Sequence, residues 1–341
     1  MLTTILTIIL SLKFIVLYLS IMKPILQHPS RFIWDFWYYY DPDTKLFHVF
    51  YLNADPSLVP SEEFHWASLV GYGVTKDFLT MDWGPWNVLA ASSSHWYNTS
   101  IWTGDIIKVN NGFLLFFTSR DCALDDGKTQ NIGCAYSQKI DTARWEPIPD
   151  FRLKPDGNIY TSRHVHGDVS IHAWRDPYLF IHQESIYMLV TAKSISRPVK
   201  HNGVAGLLRC RDKLLNNWEY LPPVANTGFF SEMDVNQVFK NPRGGYELIC
   251  STGPDYDSNP ATSGTGGLYA IHSDNILDFN GNRPRQLLSH ESGLYAFRII
   301  PELNGEIIGF DHRTGGIRRS GIQTGWKYVC RDFLNHGTKH T

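Results

Sequence analysis

The sequence predicts an all-β chain folded as a five-bladed β-propeller, with four-stranded antiparallel blades around a central funnel. Three observations carry that reading. A short aromatic and β-branched run recurs five times, at residues 47–52, 113–118, 186–191, 246–251 and 306–311, with starts 66, 73, 60 and 60 residues apart. Turn formers such as Asp43-Thr44-Lys45, Asn110-Asn111-Gly112, Arg243-Gly244-Gly245 and Leu303-Asn304-Gly305 precede the runs, which is how antiparallel hairpins are punctuated. No long amphipathic helical pattern competes with the strands.

Each run is followed by a second strand-like segment and then an outer aromatic. In the first unit 66–70 leads to Trp83, in the second 133–137 to Trp145, and in the third 206–210 to Trp218. The fourth runs from 267–273 to Phe279, and the fifth from 316–320 to Trp326. Every unit therefore reads as strand, turn, strand, loop, strand, turn, strand, and a sandwich or barrel would need this spacing to be coincidental. The expected blades are 31–95, 96–165, 166–225, 226–290 and 291–334, one propeller domain in all, with 1–30 as an apolar segment and lead-in and 335–341 as a short tail.

Composition narrows the function. A net charge of −2 without a basic run argues against nucleic-acid binding. Aromatic residues make up 14% of the chain, which suits both stacking on sugar faces and the filling of a β core. The five cysteines are widely spaced and form no Cys-x-x-Cys pair, so they read as reduced thiols in a cytoplasmic protein with no zinc site. Residues 2–21 are strongly apolar. They lack a preceding basic residue and a following cleavage pattern, so the reading preferred is that translation starts at Met22. Secretion or membrane association follows only if 1–22 is a genuine signal or anchor.

In a propeller the first strand of each blade lines the channel, so residues that lead it converge on the axis. Three blades place acids there: Asp35 in Trp34-Asp35-Phe36-Trp37, Asp176 in Trp174-Arg175-Asp176-Pro177, and Glu232 in Ser231-Glu232-Met233-Asp234. Pro177 predicts an extended backbone at Asp176. Converging carboxylates repel one another unless protonated or paired, an arrangement more typical of chemistry than of stability. Glycoside cleavage needs two carboxyls flanking the scissile bond, and a third can hold hydroxyls.

These motifs, with Trp102-Thr103-Gly104-Asp105, resemble the five-bladed glycoside hydrolases of families 32 and 68, which cleave sucrose and fructans, and more distantly family 43. The resemblance covers roughly residues 31–330. It implies Asp35 as nucleophile, Asp176 as stabiliser of the transition state and Glu232 as general acid/base in a retaining reaction with no cofactor and no metal. Trp-Asp-Phe-Trp is nearer to family 68 than to the Asn-Asp-Pro-Asn-Gly of family 32, and Met233 stands where family 32 commonly has Cys. Trp34, Trp102, Arg175, Asp105 and Asp234 are expected to bind substrate, and Trp37 to pack between blades. Two other readings stand beside this one: a family 43-like inverting arabinofuranosidase or xylosidase, and a non-catalytic sugar-binding propeller.

Histidines 164, 166 and 172 read as a solvated loop or subsite contacts, and the more distant resemblance to family 43, some of whose members carry a central calcium associated with a histidine, implies His312 as a candidate for such a site. The Gly-rich stretch 263–267 reads as a hairpin turn and Asn98-Thr99-Ser100 as a glycosylation sequon.

Overall fold

The computed structural model describes residues 24–333, apart from 62, 169–170 and 213–214. After a two-residue strand β1 (Ile25–Leu26) the chain lays down its sheets in sequence order. Blade one is β2 (Phe32–Asp41), β3 (Leu46–Ala54), β4 (Leu69–Thr75) and β5 (Asp82–Trp83); blade two is β6 (Ile101–Val109), β7 (Gly112–Arg120), β8 (Gln130–Ser137) and β9 (Glu146–Pro147). Blade three is β10 (Arg175–His182), β11 (Ser185–Lys193), β12 (Gly203–Cys210) and β13 (Trp218–Ala225). Blade four is β14 (Asp234–Lys240), β15 (Tyr246–Thr252), β16 (Gly267–Ser273) and β17 (Arg285–Ser289). Blade five contains β18 (Leu294–Ile300), β19 (Glu306–Asp311) and β20 (Ile317–Gln323), and β21 (Lys327–Tyr328) follows.

All neighbouring strands within a blade are antiparallel, and β2, β6, β10, β14 and β18 line the channel, each packed on the next around the ring. The five-bladed propeller is thus the observed fold. The recurring runs are the second strand of each blade, which explains their uniform apolar character: in β3, β7, β11, β15 and β19 both faces are covered by neighbouring blades.

The outer aromatics repeat for a related reason. Trp145 of blade two packs edge-on against Phe50 of blade one, 5.7 Å between ring centroids, and Trp218 of blade three meets Phe116 of blade two at 6.2 Å. Each large ring fills the wedge between adjacent twisted sheets.

Closure of the ring departs from expectation. The segment assigned as a lead-in supplies the outer strand of blade five, with Ile25 opposite Arg318 and Leu26 opposite Ile317. This covers an edge of β20 whose backbone groups would otherwise lack partners. Trp326 does not open a fourth strand of blade five; β21 beyond it pairs with the far end of β14, Phe239 opposite Tyr328, in blade four. The hairpin between β10 and β11 was also silent in sequence, because Gln183 and Glu184 take left-handed conformations (φ 46° and 63°) without the usual Asn or Gly.

A feature common to all five channel strands positions the site. Each has a register shift near its start, between Ile33 and Phe36, Trp102 and Gly104, Arg175 and Tyr178, Asp234 and Gln237, and Tyr295 and Arg298. Such bulges re-aim side chains. In three blades the residue in the bulge has positive φ: Asp176 (58°), Val235 (56°) and Ala296 (46°). The extended backbone predicted at Asp176 therefore gives way to the bulge, at a strain cost that the surrounding structure must offset. Among the described residues no helix is long and apolar enough to cross a membrane, and the apolar residues 2–21 lie outside them.

Candidate active site

A cavity of about 490 Å³ opens at one end of the channel, lined by residues of several blades. Asp35, Asp176, Glu232 and Asp234 all reach it, together with Trp34, Trp102 and Arg175. Seven of the eight predicted site residues are thus brought together. The eighth, Asp105, is not: it is buried at the opposite end of the channel, where Arg331 donates to its two carboxylate oxygens at 2.7 and 2.6 Å. Its strand carries Thr103 to the site instead, because the bulge between Trp102 and Gly104 turns that hydroxyl toward Asp176.

Asp176 is the most completely held of the acids. It accepts from the Thr103 hydroxyl, from Thr191 Oγ1 at 2.7 Å and from the backbone N–H of Val235 at 3.1 Å, and Arg175 Nε lies 3.6 Å away. The left-handed conformation of Val235, unusual for a β-branched residue, presents that N–H to the carboxylate.

Arg175 is the hub. One Nη2 donates to Glu232 Oε2 at 2.7 Å and to Asp234 Oδ1 at 2.5 Å, while Nη1 donates to Gln130 Oε1 at 3.1 Å. Burial alone would weaken its charge, but the carboxylates of Asp234, Glu232 and Asp176 hold its proton more tightly than in water. Asp234 also accepts from the Tyr295 hydroxyl at 2.6 Å.

Glu232 is almost fully buried, on a segment stitched both to blade three and to a loop of blade four. The N–H of Gly203 donates to Phe230 O at 3.0 Å and Ser231 N–H to Tyr256 O at 2.9 Å. A Cβ at position 203 would lie 2.6 Å from the backbone of Ser231, so glycine is required for this approach. On its other side Glu232 Oε1 is in an ion pair with Lys193, a residue sequence reasoning passed over.

Asp35 stands apart. Among the described residues no donor reaches its carboxylate, and burial, reinforced by the negative charges of Asp176 and Asp234, pushes it up to about 8 against the opposing Arg298 and Arg175. The aromatic wall comprises Trp34, edge-on to Phe64 at 4.9 Å, and Trp102, whose N–H donates to His65 O at 2.9 Å. Trp37 instead stacks on Phe50 in the core, as expected of a packing residue. His65 also lines the cavity, and burial with nearby Arg120 and Arg175 pulls it down to about 4, so it is a neutral ring.

His172 is no solvated loop residue. Its side chain is completely buried, with Nδ1 2.8 Å from Asp168 and Nε2 2.9 Å from Thr161 O. His312 stacks on His290 at 4.1 Å in the cavity wall. Among the described residues no group of three or more His, Cys, Asp or Glu is arranged to hold a metal ion. The sequon's Asn98 is engaged structurally, its amide donating to Asp121 Oδ1 at 3.0 Å and its oxygen accepting from Cys122 N–H at 2.8 Å.

Residues 38–260 match the family described as Glycosyl hydrolases family 32 N-terminal domain, a span that includes Asp176 and Glu232 and begins just after Asp35. The chain belongs to glycoside hydrolase family 32. It is a glycosidase of the fructosyl-cleaving kind. Similar solved structures share the propeller. The inulosucrase of Halalkalicoccus jeotgali bound to kestose superposes with a TM-score of 0.65 at 17% identity, covering 91% of this chain and 93% of that one. The β-fructofuranosidase catalytic domain of Microbacterium saccharophilum K-1 gives 0.62 at 17%, covering 84% and 75%. The levansucrase of Bacillus subtilis gives 0.64 at 14%, covering 88% and 83%. At these identities the likeness speaks for the fold. No curated protein matches the chain. For this family 32 chain the inverting family 43 alternative and the non-catalytic alternative have no comparable support.

Proposed function

We propose that the protein cleaves or transfers β-fructofuranosyl units of sucrose or short fructans with retention of configuration. The observation that supports this most is the convergence of Asp35, Asp176 and Glu232, from three blades, on one cavity, with Arg175 paired to the latter two. In this reading ionised Asp35 attacks the anomeric carbon of the fructosyl unit. Glu232 gives a proton to the departing oxygen, leaving fructose covalently bound to Asp35. Glu232 then takes a proton from water, which attacks the same carbon and frees Asp35. Asp176 holds fructosyl hydroxyls, and its negative charge stabilises the positive charge that develops on the ring.

Trp34, Trp102 and Asp234 contact the sugars from the cavity wall, and Arg175 orders the acids around them. Incubation with sucrose, inulin, levan and arabinan, with products resolved by chromatography, tests the substrate class. The anomer released first, read by NMR, tests retention. Undiminished sucrose or fructan cleavage by Asp35→Ala would overturn the assignment. A cytoplasmic location is proposed from the five unpaired cysteines, and cell fractionation tests it.

A further inference from the structure

Behind Glu232, on the side away from the cavity, lies a chain of alternating charges. Lys193 Nζ is in contact with Glu232 Oε1, donates to Ser231 O at 2.6 Å, and lies 3.1 Å from Asp168 Oδ1. Asp168 Oδ2 is 2.8 Å from His172 Nδ1, and the opposite ring nitrogen of His172 faces the carbonyl of Thr161 at 2.9 Å. The side chains of Lys193, Asp168 and His172 are fully buried. An oxygen thus stands on each side of the His172 ring and fixes its orientation. Against the opposing effect of burial, His172 and Lys193 hold Asp168 down to about 2.

A buried ammonium is costly unless paired and hydrogen-bonded, so a lysine here, where a packed apolar residue would serve stability as well, calls for a use. Lys193 does not line the cavity, whereas Arg175, which engages the other oxygen of Glu232, does. An ammonium group has only donors and is best met by an oxygen that carries no proton, so the contact disfavours the carboxyl proton on Oε1. Oε2 is then the oxygen left to carry it. There Arg175 can give way, because it keeps Asp234 as a partner at 2.5 Å.

We infer that Lys193, backed by Asp168 and His172, is the positioning residue of Glu232, holding Oε1 from behind so that the proton resides on Oε2, on the side of Arg175 and the cavity. This rests on Glu232 being the acid/base. Lys193 acts through that carboxyl and touches no substrate.

The test compares kcat/KM, which reports formation of the fructosyl-enzyme, on sucrose and on 4-nitrophenyl β-D-fructofuranoside, whose activated leaving group needs little protonation. In Lys193→Met, kcat/KM on sucrose is expected to fall about 100-fold, within the range of general acid catalysis, and on the aryl fructoside less than about 5-fold on the same grounds. Lys193→Arg should recover part of the loss on sucrose. Lys193→Met paired with Asp168→Asn removes the stranded anion and keeps the test open if the single variant fails to fold. If neither folds, His172→Gln should show the same asymmetry, weaker. Equal losses on the two substrates in a folded variant would overturn the inference. Glu232→Gln serves as the control: if it lacks the asymmetry, it is the acid/base assignment that fails.

Discussion

At the funnel end of the channel, Asp176, Glu232 and Asp234 crowd round Arg175 while Asp35 joins them in the lining, with Lys193 behind Glu232 and a cavity of about 490 Å³ in front. At the far end two acids, Asp105 and Glu302, face two arginines, Arg298 and Arg331, and the remaining space is about 10 Å³. There Arg331 grips both oxygens of Asp105, Leu179 N–H adds a third bond at 2.8 Å, and Arg298 Nε donates to Phe36 O at 2.9 Å. The same strands build both ends. They differ in charge balance and in room: one end has its charges balanced and is plugged, the other has surplus negative charge, one acid that no donor among the described residues reaches, and space for a ligand.

The largest expected effect comes from removing that unsatisfied acid. Asp35→Asn should lower turnover on the order of 10⁴-fold, as for loss of a nucleophile-level group, while raising the melting temperature. The sign follows from linkage. The folded protein holds the Asp35 proton to about 8 against an unfolded value near 3.8, so the site costs nothing below pH 4 and progressively more up to pH 8. The stability gain of Asp35→Asn should therefore vanish below pH 4 and widen toward pH 8 in thermal scans. A gain independent of pH would break the comparison.

Arg175→Met should lower both activity, by roughly 100-fold or more, and stability, by about 3–5 kcal/mol, because buried carboxylates lose their shared partner. Steady-state kinetics and denaturant melts measure the two. A milder expectation concerns pH. The acid limb of kcat/KM should lie near pH 8, set by Asp35, and Asp234→Asn should move it to lower pH by removing one of the charges that raise it. The smallest effect on activity belongs to the far end. Arg331→Met should destabilise the fold by about 3 kcal/mol, since Asp105 is left buried and unpaired, yet leave kcat/KM within about twofold. A large kinetic defect there would show the two ends to be coupled.

The three acids were legible in sequence because each leads a channel strand beside a short motif that does not depend on the rest of the chain. The blade count was legible because the second strands are buried on both faces and so repeat in composition. What stayed hidden depends on distance. Asp105 looks like a channel acid, and only the position of Arg331, at the other end of the described chain, decides that it belongs to the plug. Lys193 ends an apolar strand and reads as a strand terminus until the fold sets Glu232 against it. His172 looked solvated because nothing local shows Asp168 and Thr161 closing over its ring. The left-handed bulge at Asp176 ran against its proline neighbour, since donors from three blades fix it.

The seam between β1 and β20 bears on how the molecule forms. Ile25 and Arg318 meet from opposite ends of the described chain, so the last blade is completed by the earliest described strand. Pairings so remote in sequence carry the highest closure entropy and slow folding. Four blades can assemble by local hairpins while the ring is still open, and the seam then closes with only two residues on one side. The amides of Leu26 and Ile317 should accordingly exchange with solvent ahead of those in β3 or β7, marking the place where the ring first parts.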